Sequence, residues 1–182
     1  MQWTDREFVG HDFRDDDLSR LQTERVLFTE CDFSGVNMAE SEHRGSAFRN
    51  CTFHLTALWH STFRQCSMLG SAFTRCRFRP LTLDDVDFTL AVLAGNDLRG
   101  VDLSGCRLRE TSLVEADLRT TLLRGADLTG ARTTGTRFDE ADLRGAVVDP
   151  SLWTTASLAG ARIDIEQALA YAVAHGLRLD SG

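Results

Sequence analysis

The stretches Asn96-Asp97-Leu98-Arg99-Gly100 and Ala126-Asp127-Leu128-Thr129-Gly130 share one pattern: small, polar, large apolar, polar, glycine. Taking every fifth residue outward from Leu98 gives 33 positions between Trp3 and Ile163, of which 30 hold a large apolar side chain. All eleven phenylalanines lie on this series, and its three exceptions are Thr23, His43 and Thr133. An internal repeat of five residues therefore organises nearly the whole chain.

The period of five predicts short extended segments joined by turns. It matches neither the period of an α-helix nor the unbroken alternation of a long strand. Within each unit the small and the large residue are two apart, so in an extended segment both point to one side and their polar neighbours point to the other. Glycine at the fifth place accepts turn geometry that other residues resist. A chain that turns inward after every five residues closes a square after four units, which makes a coil of 20 residues.

Residues 20 apart test this inference, because they should stack in neighbouring coils. Two such columns consist of phenylalanine: Phe13, Phe33, Phe53 and Phe73 in one, and Phe8, Phe28 and Phe48 in the other. Stacked solenoids favour columns of like side chains, since each coil rests on a copy of itself. The sequence therefore predicts a four-sided all-β solenoid over residues 1–163, with these phenylalanines as its core.

A different pattern begins at the C-terminus. Apolar residues follow the spacing of one helical face at Ile165, Ala168, Leu169, Ala172 and Val173. Asp164 with Gln167 fits a capping box, and Gly176 fits a helix stop. We predict a short α-helix over about 165–175, within a C-terminal unit of residues 164–182. A helix there caps the end of the solenoid, which otherwise exposes unpaired backbone and apolar core.

Residue types suited to catalysis are present but poorly placed for it. All five cysteines occupy the small position of a unit, where they face the core as apolar fillers. His43 takes a core position one coil from Thr23, and a buried histidine bonded to Thr23 or to backbone is a simpler interpretation than a general base. The glycines recur as corners and form no phosphate loop. We therefore expect no enzyme activity, no cofactor, no metal site and no small-molecule substrate.

Composition narrows the class of protein further. The chain has 182 residues and a net charge of −7, whereas a nucleic-acid-binding domain usually carries a basic excess. No apolar run is long enough to span a bilayer, and the first residues are polar. We expect a cytoplasmic protein that binds neither membrane nor nucleic acid directly.

The five-residue pattern resembles the pentapeptide-repeat family over roughly 160 of the 182 residues. Residues 45–53, 58–63 and 79–88 and the C-terminal tail resemble its mycobacterial fluoroquinolone-resistance members more specifically. The resemblance implies a right-handed quadrilateral β-helix and a homodimer formed through the C-terminal ends. It also implies binding to the DNA-handling surfaces of DNA gyrase, which such proteins inhibit or modulate while lowering fluoroquinolone susceptibility.

Two sets of residues are candidates for these contacts. For the dimer interface we expect apolar residues of the helix and tail: Leu169, Val173, Leu177 and Leu179. For a DNA-mimicking surface that faces gyrase we expect two acidic clusters, Asp84, Asp85, Asp87 and Asp102 in the middle of the rod and Asp139, Glu140, Asp142 and Asp149 near the dimer end.

Charge alone does not establish DNA mimicry. Arginines interleave with the carboxylates, so no face of the square carries more than about two net negative charges, and a solvated acidic surface also keeps a rod soluble. The register of the repeat does not slip, so no inserted loop is expected and a partner must dock on the flat sides. The alternative function is a structural or scaffold rod with a different protein partner.

Overall fold

The chain winds into a right-handed quadrilateral β-helix whose strands are each three residues long. The computed structural model describes residues 1–178. The strands are β1 Gln2–Thr4, β2 Glu7–Val9, β3 Gln22–Glu24, β4 Leu27–Thr29, β5 Glu42–Arg44, β6 Ala47–Arg49, β7 Thr52–His54, β8 Thr62–Arg64, β9 Ala72–Thr74 and β10 Thr82–Asp84. Two helices follow, α1 Leu152–Thr155 and α2 Ile165–Ala174.

Parallel pairing joins residues that are 20 apart. β1 pairs with β3 in the register Gln2↔Gln22, and the same offset still holds in the bridge Asp142↔Arg162. The strands form sheets in the orders β1-β3-β5-β8-β10, β2-β4-β6 and β7-β9, and single bridges continue the ladders beyond β10. We number the four sides by the inward-pointing residue of their first unit: face 1 begins with Trp3, face 2 with Phe8, face 3 with Phe13 and face 4 with Leu18.

The phenylalanine columns form the core that their spacing predicted. In face 3 the ring centroids of Phe13 and Phe33 are 4.9 Å apart, those of Phe33 and Phe53 are 5.0 Å apart, and those of Phe53 and Phe73 are 4.6 Å apart. Phe28 stacks between its face 2 neighbours at 5.3 and 4.7 Å. Each ring lies nearly parallel to the one in the next coil because the backbone repeats the same path.

Turns at the corners require the left-handed backbone conformation. Gly35 has φ +73°, and a Cβ atom there would overlap the carboxylate of Asp15, so glycine suits both the angle and the space. Within residues 1–178, seventeen residues other than glycine also have positive φ, including Glu110 and Glu140. Each costs about 1 kcal/mol relative to glycine in that conformation, a cost offset by packing of the same coil.

Helix α1 is a departure from the predicted run of extended units. Its single turn replaces a strand on face 3, although Leu152 and Trp153 still point into the core. The turn is closed by its own hydrogen bond, in which Ala156 N–H donates to the carbonyl of Leu152. The ladder resumes in register at the bridge Arg137↔Ser157.

Helix α2 caps the solenoid through a polar side chain. The predicted capping box is present between Asp164 and Gln167. Gln167 Nε2 also donates to the carbonyls of Leu143 at 2.7 Å and Ala146 at 2.8 Å. The Leu143 carbonyl already accepts the Ala146 N–H, so it is the Ala146 carbonyl that lacks a donor from a further coil. The helix therefore packs by its Gln167 side, and the apolar stripe that the sequence identified faces away from the core. Neither helix in residues 1–178 is long and apolar enough to cross a membrane.

Candidate functional site

His43 is the one histidine in the core, and neighbouring side chains hold its ring by hydrogen bonds and stacking. Its Nδ1 lies 2.7 Å from Thr23 Oγ1, its Nε2 lies 2.9 Å from Ser41 Oγ, and its ring stacks on Phe63 at 4.6 Å. Burial lowers the pKa of His43 to about 3, so the ring is neutral at physiological pH. The predicted buried histidine bonded to Thr23 is confirmed.

The cysteines behave as core residues. All five are buried and unpaired with one another. Burial raises the pKa of the Cys51 thiol to about 12 and that of Cys66 to about 11. A thiol that stays protonated at neutral pH is a poor nucleophile, so the candidate functional features lie on the outside of the rod.

The aspartate of the repeat unit serves the turn that follows it. Asp97 Oδ1 accepts the Arg99 backbone N–H at 3.2 Å, and its carboxylate also accepts two bonds from the Arg99 guanidinium, at 2.9 and 2.7 Å. These bonds lower the pKa of Asp97 to about 2. Asp102 makes the same backbone contact with Ser104 at 2.9 Å. A carboxylate at this position therefore serves the turn, and it presents free charge to a partner only where no arginine pairs with it.

One predicted surface residue is not on the surface. Asp142 is only 3% exposed. Its carboxylate accepts from Arg144 Nε at 2.8 Å and Nη2 at 2.7 Å, and from Arg124 Nε at 2.6 Å. The two guanidinium groups hold its pKa far below the usual range. Asp142 is thus a neutralised structural residue, which the repeat pattern alone does not distinguish from exposed aspartates in the same unit position.

Four more of the predicted carboxylates have partners in the rod. Asp85 and Asp87 both contact Arg107, at 3.1 and 3.5 Å. Asp139 Oδ1 accepts the Ala159 N–H at 3.0 Å, and Asp149 Oδ2 accepts the Gly130 N–H at 2.6 Å. These contacts fix the carboxylates and reduce the charge that they present to solvent.

Three of the eight predicted carboxylates remain exposed without an arginine partner in the described part of the chain: Asp84, Asp102 and Glu140. Asp84 and Asp102 lie in successive coils of face 1, and Glu140 lies at the corner between face 4 and face 1. These three predicted carboxylates therefore lie toward one side of the rod, whereas Glu110 and Glu115, which were not among the predicted residues, are exposed at the corners after face 2 and face 3. The other five predicted carboxylates are either paired with an arginine or at least partly buried.

Charge is also distributed in bands along the rod, a feature that the sequence analysis missed. Residues 1–42 contain eleven acidic residues and four arginines, and residues 84–182 contain sixteen and ten. Residues 43–83 contain six arginines and no acidic residue. We call this two-coil segment the basic belt. The signal was available in the sequence, because no Asp or Glu occurs between Glu42 and Asp84.

The predicted dimer residues lie on the exposed side of the C-terminal unit. Leu169 is 47% exposed, Val173 57% and Leu177 62%. Leu179 lies outside the described residues. Leu169 and Val173 are four apart and share the outer stripe of α2 with Ile165. This is a row of large apolar side chains that nothing in the described chain covers.

Comparison with known proteins connects these features to a family. A model described as "Pentapeptide repeat region" matches residues 56–133, and one described as "Pentapeptide repeats (8 copies)" matches residues 121–148. The chain is 82% identical to the pentapeptide repeat protein MfpA of Mycobacterium tuberculosis, over 100% of both chains. It is 71% identical to MfpA of Mycolicibacterium smegmatis over 59 residues, which are 32% of this chain and 31% of that protein.

Solved structures share the fold at low sequence identity. QnrB1, a plasmid-mediated fluoroquinolone resistance protein, matches with a TM-score of 0.67 at 18% identity, covering 97% of this chain and 100% of its own. HetL from the cyanobacterium Nostoc, a pentapeptide repeat protein involved in heterocyst differentiation regulation, matches with 0.62 at 20% identity over 89% and 84% of the two chains. The repeat, the stacked coils and the full-length likeness to MfpA together show that this chain belongs to the pentapeptide-repeat protein family.

Proposed function

We propose that this protein binds DNA gyrase as a mimic of DNA, modulates or inhibits the enzyme, and so lowers susceptibility to fluoroquinolones. The full-length likeness to MfpA supports this, because the resemblance to the mycobacterial fluoroquinolone-resistance members of the family implies binding to gyrase. The observation that carries the proposal is the cluster of exposed carboxylates on the face 1 side, at Asp84, Asp102 and Glu140. We propose this cluster as the gyrase-facing surface.

Dimerisation through the C-terminal unit extends the acidic surface. The outer stripe of α2, with Leu169, Val173 and Leu177, is the part of that unit that a second copy would bury. Like surfaces meet across a twofold axis in such a dimer. The acidic segments of the two copies then lie on either side of the joint, and the two basic belts lie further out.

The physical basis is competition for one basic surface. Neighbouring coils are about 4.8 Å apart, so carboxylates on one side recur at intervals of the same order as phosphates along a nucleic acid. A basic channel that attracts DNA phosphates attracts such a rod by the same long-range field. Binding of this kind releases counterions and must therefore weaken as the salt concentration rises.

A supercoiling assay with two matched variants tests the proposal. Asp84→Asn/Asp102→Asn/Glu140→Gln removes three charges from the proposed surface. Asp15→Asn/Asp16→Asn/Glu30→Gln removes three exposed charges from the N-terminal band. We expect the first variant to inhibit gyrase at least about tenfold less well than the wild type and the second to change inhibition by less than about threefold.

The same assay distinguishes gyrase binding from the alternative function as a structural or scaffold rod. A scaffold rod with another partner would leave supercoiling unchanged at every concentration, in the wild type as well as in both variants. Equal losses in the two variants would show that net charge matters and that the chosen surface does not.

A further inference from the structure

Within residues 1–178, most arginines of the basic belt have no carboxylate partner, unlike most other arginines of this protein. Elsewhere most arginines bond a carboxylate of their own coil or the next, as Arg99 bonds Asp97. In the belt, Arg79 reaches Asp97 below it. Within residues 1–178 the other five make no ion pair: Arg44, Arg49, Arg64, Arg75 and Arg77. All five are exposed.

The fold does not require these arginines. In β5 and β8 Arg44 lies directly opposite Arg64 in the parallel register, where two like charges repel each other. The outward position of Arg77 is occupied by alanine one coil earlier, at Ala57, its bridge partner. Neutral side chains thus satisfy the same backbone, and the excess of positive charge needs another explanation.

Face 4 of the belt adds an aromatic side chain to this charge. Trp59 lies on an outward position in register with Arg79 of the next coil, because their neighbours Ala57 and Arg77 pair. Its ring packs against the edge of His60 at 5.4 Å, which leaves it half-buried. Tryptophan and arginine are the residues most enriched where binding energy concentrates in protein interfaces.

Arg75, Arg77 and Arg79 alternate along one segment. Alternate residues of an extended chain point to the same side and lie about 6.6 Å apart, so Arg77 and Arg79 both point outward. Arg75 lies at the preceding corner in the left-handed conformation, with φ +55°, and adds a third charge beside this pair. A partner segment that is itself extended and carries carboxylates at every second residue has matching spacing and opposite charge.

We propose that this row, with Trp59, is a docking site for a short, extended, acidic segment of another protein, with alternating carboxylates over the arginines and an apolar side chain against Trp59. Nucleic acid fits less well. A polynucleotide carries phosphates along its whole length, whereas the belt is only two coils high and on face 4 is bounded by Glu40 on one side and Asp97 on the other. The proposal is independent of gyrase binding, which we assign to face 1.

Fluorescence anisotropy with two labelled probes tests the site. One probe is a decapeptide of alternating glutamate and threonine with a leucine in place of one central threonine, and the other is a ten-nucleotide oligothymidine. The variants are Arg75→Glu/Arg77→Glu on the proposed site and Arg44→Glu/Arg64→Glu on face 1 of the same belt. Both variants change the net charge equally and alter exposed side chains without ion-pair partners, and circular dichroism confirms that each remains folded.

We expect the wild type to bind the peptide at low salt, although its overall charge of −7 opposes this. The face 4 variant should bind at least about tenfold more weakly and the face 1 variant less than about threefold more weakly. Peptide binding should also change tryptophan emission, and Trp59→Phe should abolish that change. Absence of peptide binding, equal losses in both variants, or tighter binding of the oligonucleotide than of the peptide would each overturn the proposal.

Discussion

Thr23 and His43 lie one coil apart on face 1, and their side chains share a hydrogen bond of 2.7 Å between Oγ1 and Nδ1. The bond lies in a buried polar chain that continues from Thr23 to Ser46 at 2.9 Å and from His43 through Ser41 to Ser61. Every hydroxyl group in this hydrogen-bonded network therefore has a partner, and the network places no charge in the core. Such a satisfied network is compatible with a packed interior.

The neutral state of His43 predicts a specific pH dependence. Its pKa is about 3 in the folded protein and about 6.5 in the unfolded chain. Below pH 6.5 the unfolded state therefore binds a proton that the folded state does not. The free energy of unfolding thus decreases as the pH is lowered, until the pH reaches the pKa of His43 in the folded state. We expect a loss of about 2 kcal/mol from His43 between pH 7 and pH 5.

Urea denaturation at the two pH values measures this loss, and His43→Phe provides the comparison. Phenylalanine continues the column on Phe63, while Thr23 and Ser41 keep their hydroxyl partners Ser46 and Ser61. The variant should lose about 2 kcal/mol less than the wild type over the same interval. An identical pH dependence in both proteins would show that His43 is not the group responsible.

The stacked core predicts a large effect of single truncations. Phe53→Ala leaves a void between Phe33 and Phe73 and should lower the free energy of unfolding by about 3–5 kcal/mol. Thr52→Ala, on the exposed side of the same strand, should change it by less than about 0.5 kcal/mol. Chemical denaturation of both variants measures the difference, and comparable small effects would mean that the column is not tightly packed.

Substitutions at Asp142 and Asp84 should have different effects, the first on the stability of the fold and the second on binding to gyrase. Asp142→Asn removes the charge that Arg124 and Arg144 share and should destabilise the fold by about 1–3 kcal/mol. Asp84→Asn should leave stability within about 0.5 kcal/mol but weaken the interaction with gyrase. Thermal unfolding and gyrase inhibition, measured on both variants, give the comparison. If Asp142→Asn weakened inhibition of gyrase while Asp84→Asn lowered stability, Asp142 would belong to the interface with gyrase.

The outer stripe of α2 predicts the oligomeric state. Val173→Asp/Leu177→Asp should give a folded monomer, because a charge cannot be buried unpaired in an apolar interface, whereas the wild type should sediment as a dimer. Ala170→Asp, a change at an exposed position of α2 outside the stripe, is the matched control and should leave the dimer intact. Sedimentation velocity distinguishes the species, and a dimer that survives the double substitution would remove this interface from the account.

The sequence was sufficient for the fold wherever one coil rests on another. The 20-residue spacing of Phe13, Phe33, Phe53 and Phe73 predicted their stacking, because in a solenoid the same environment recurs in each coil. It failed at Leu152–Thr155, where a helical turn replaces the extended unit. Trp153 keeps the period of five and faces the core there, so the spacing of apolar residues does not reveal the change.

Predictions about surfaces were less complete, for two physical reasons. The pattern of α2 identified its apolar stripe, yet the helix packs by Gln167, which donates to an Ala146 carbonyl that no backbone N–H of the described chain reaches. Asp102 and Asp142 occupy the same unit position, and only the arginines around Asp142 determine that its charge is neutralised. Such contacts depend on side chains one coil away, which a motif of five residues does not describe.

The salt dependence of gyrase affinity, measured with and without bound DNA, tests the central claim most directly. A DNA mimic should bind less tightly as salt rises, because counterions are released on binding, and DNA and the protein should each exclude the other to the same degree. An affinity that is unchanged between low and high salt, or a ternary complex in which gyrase holds DNA and this protein at undiminished affinity, would contradict the account.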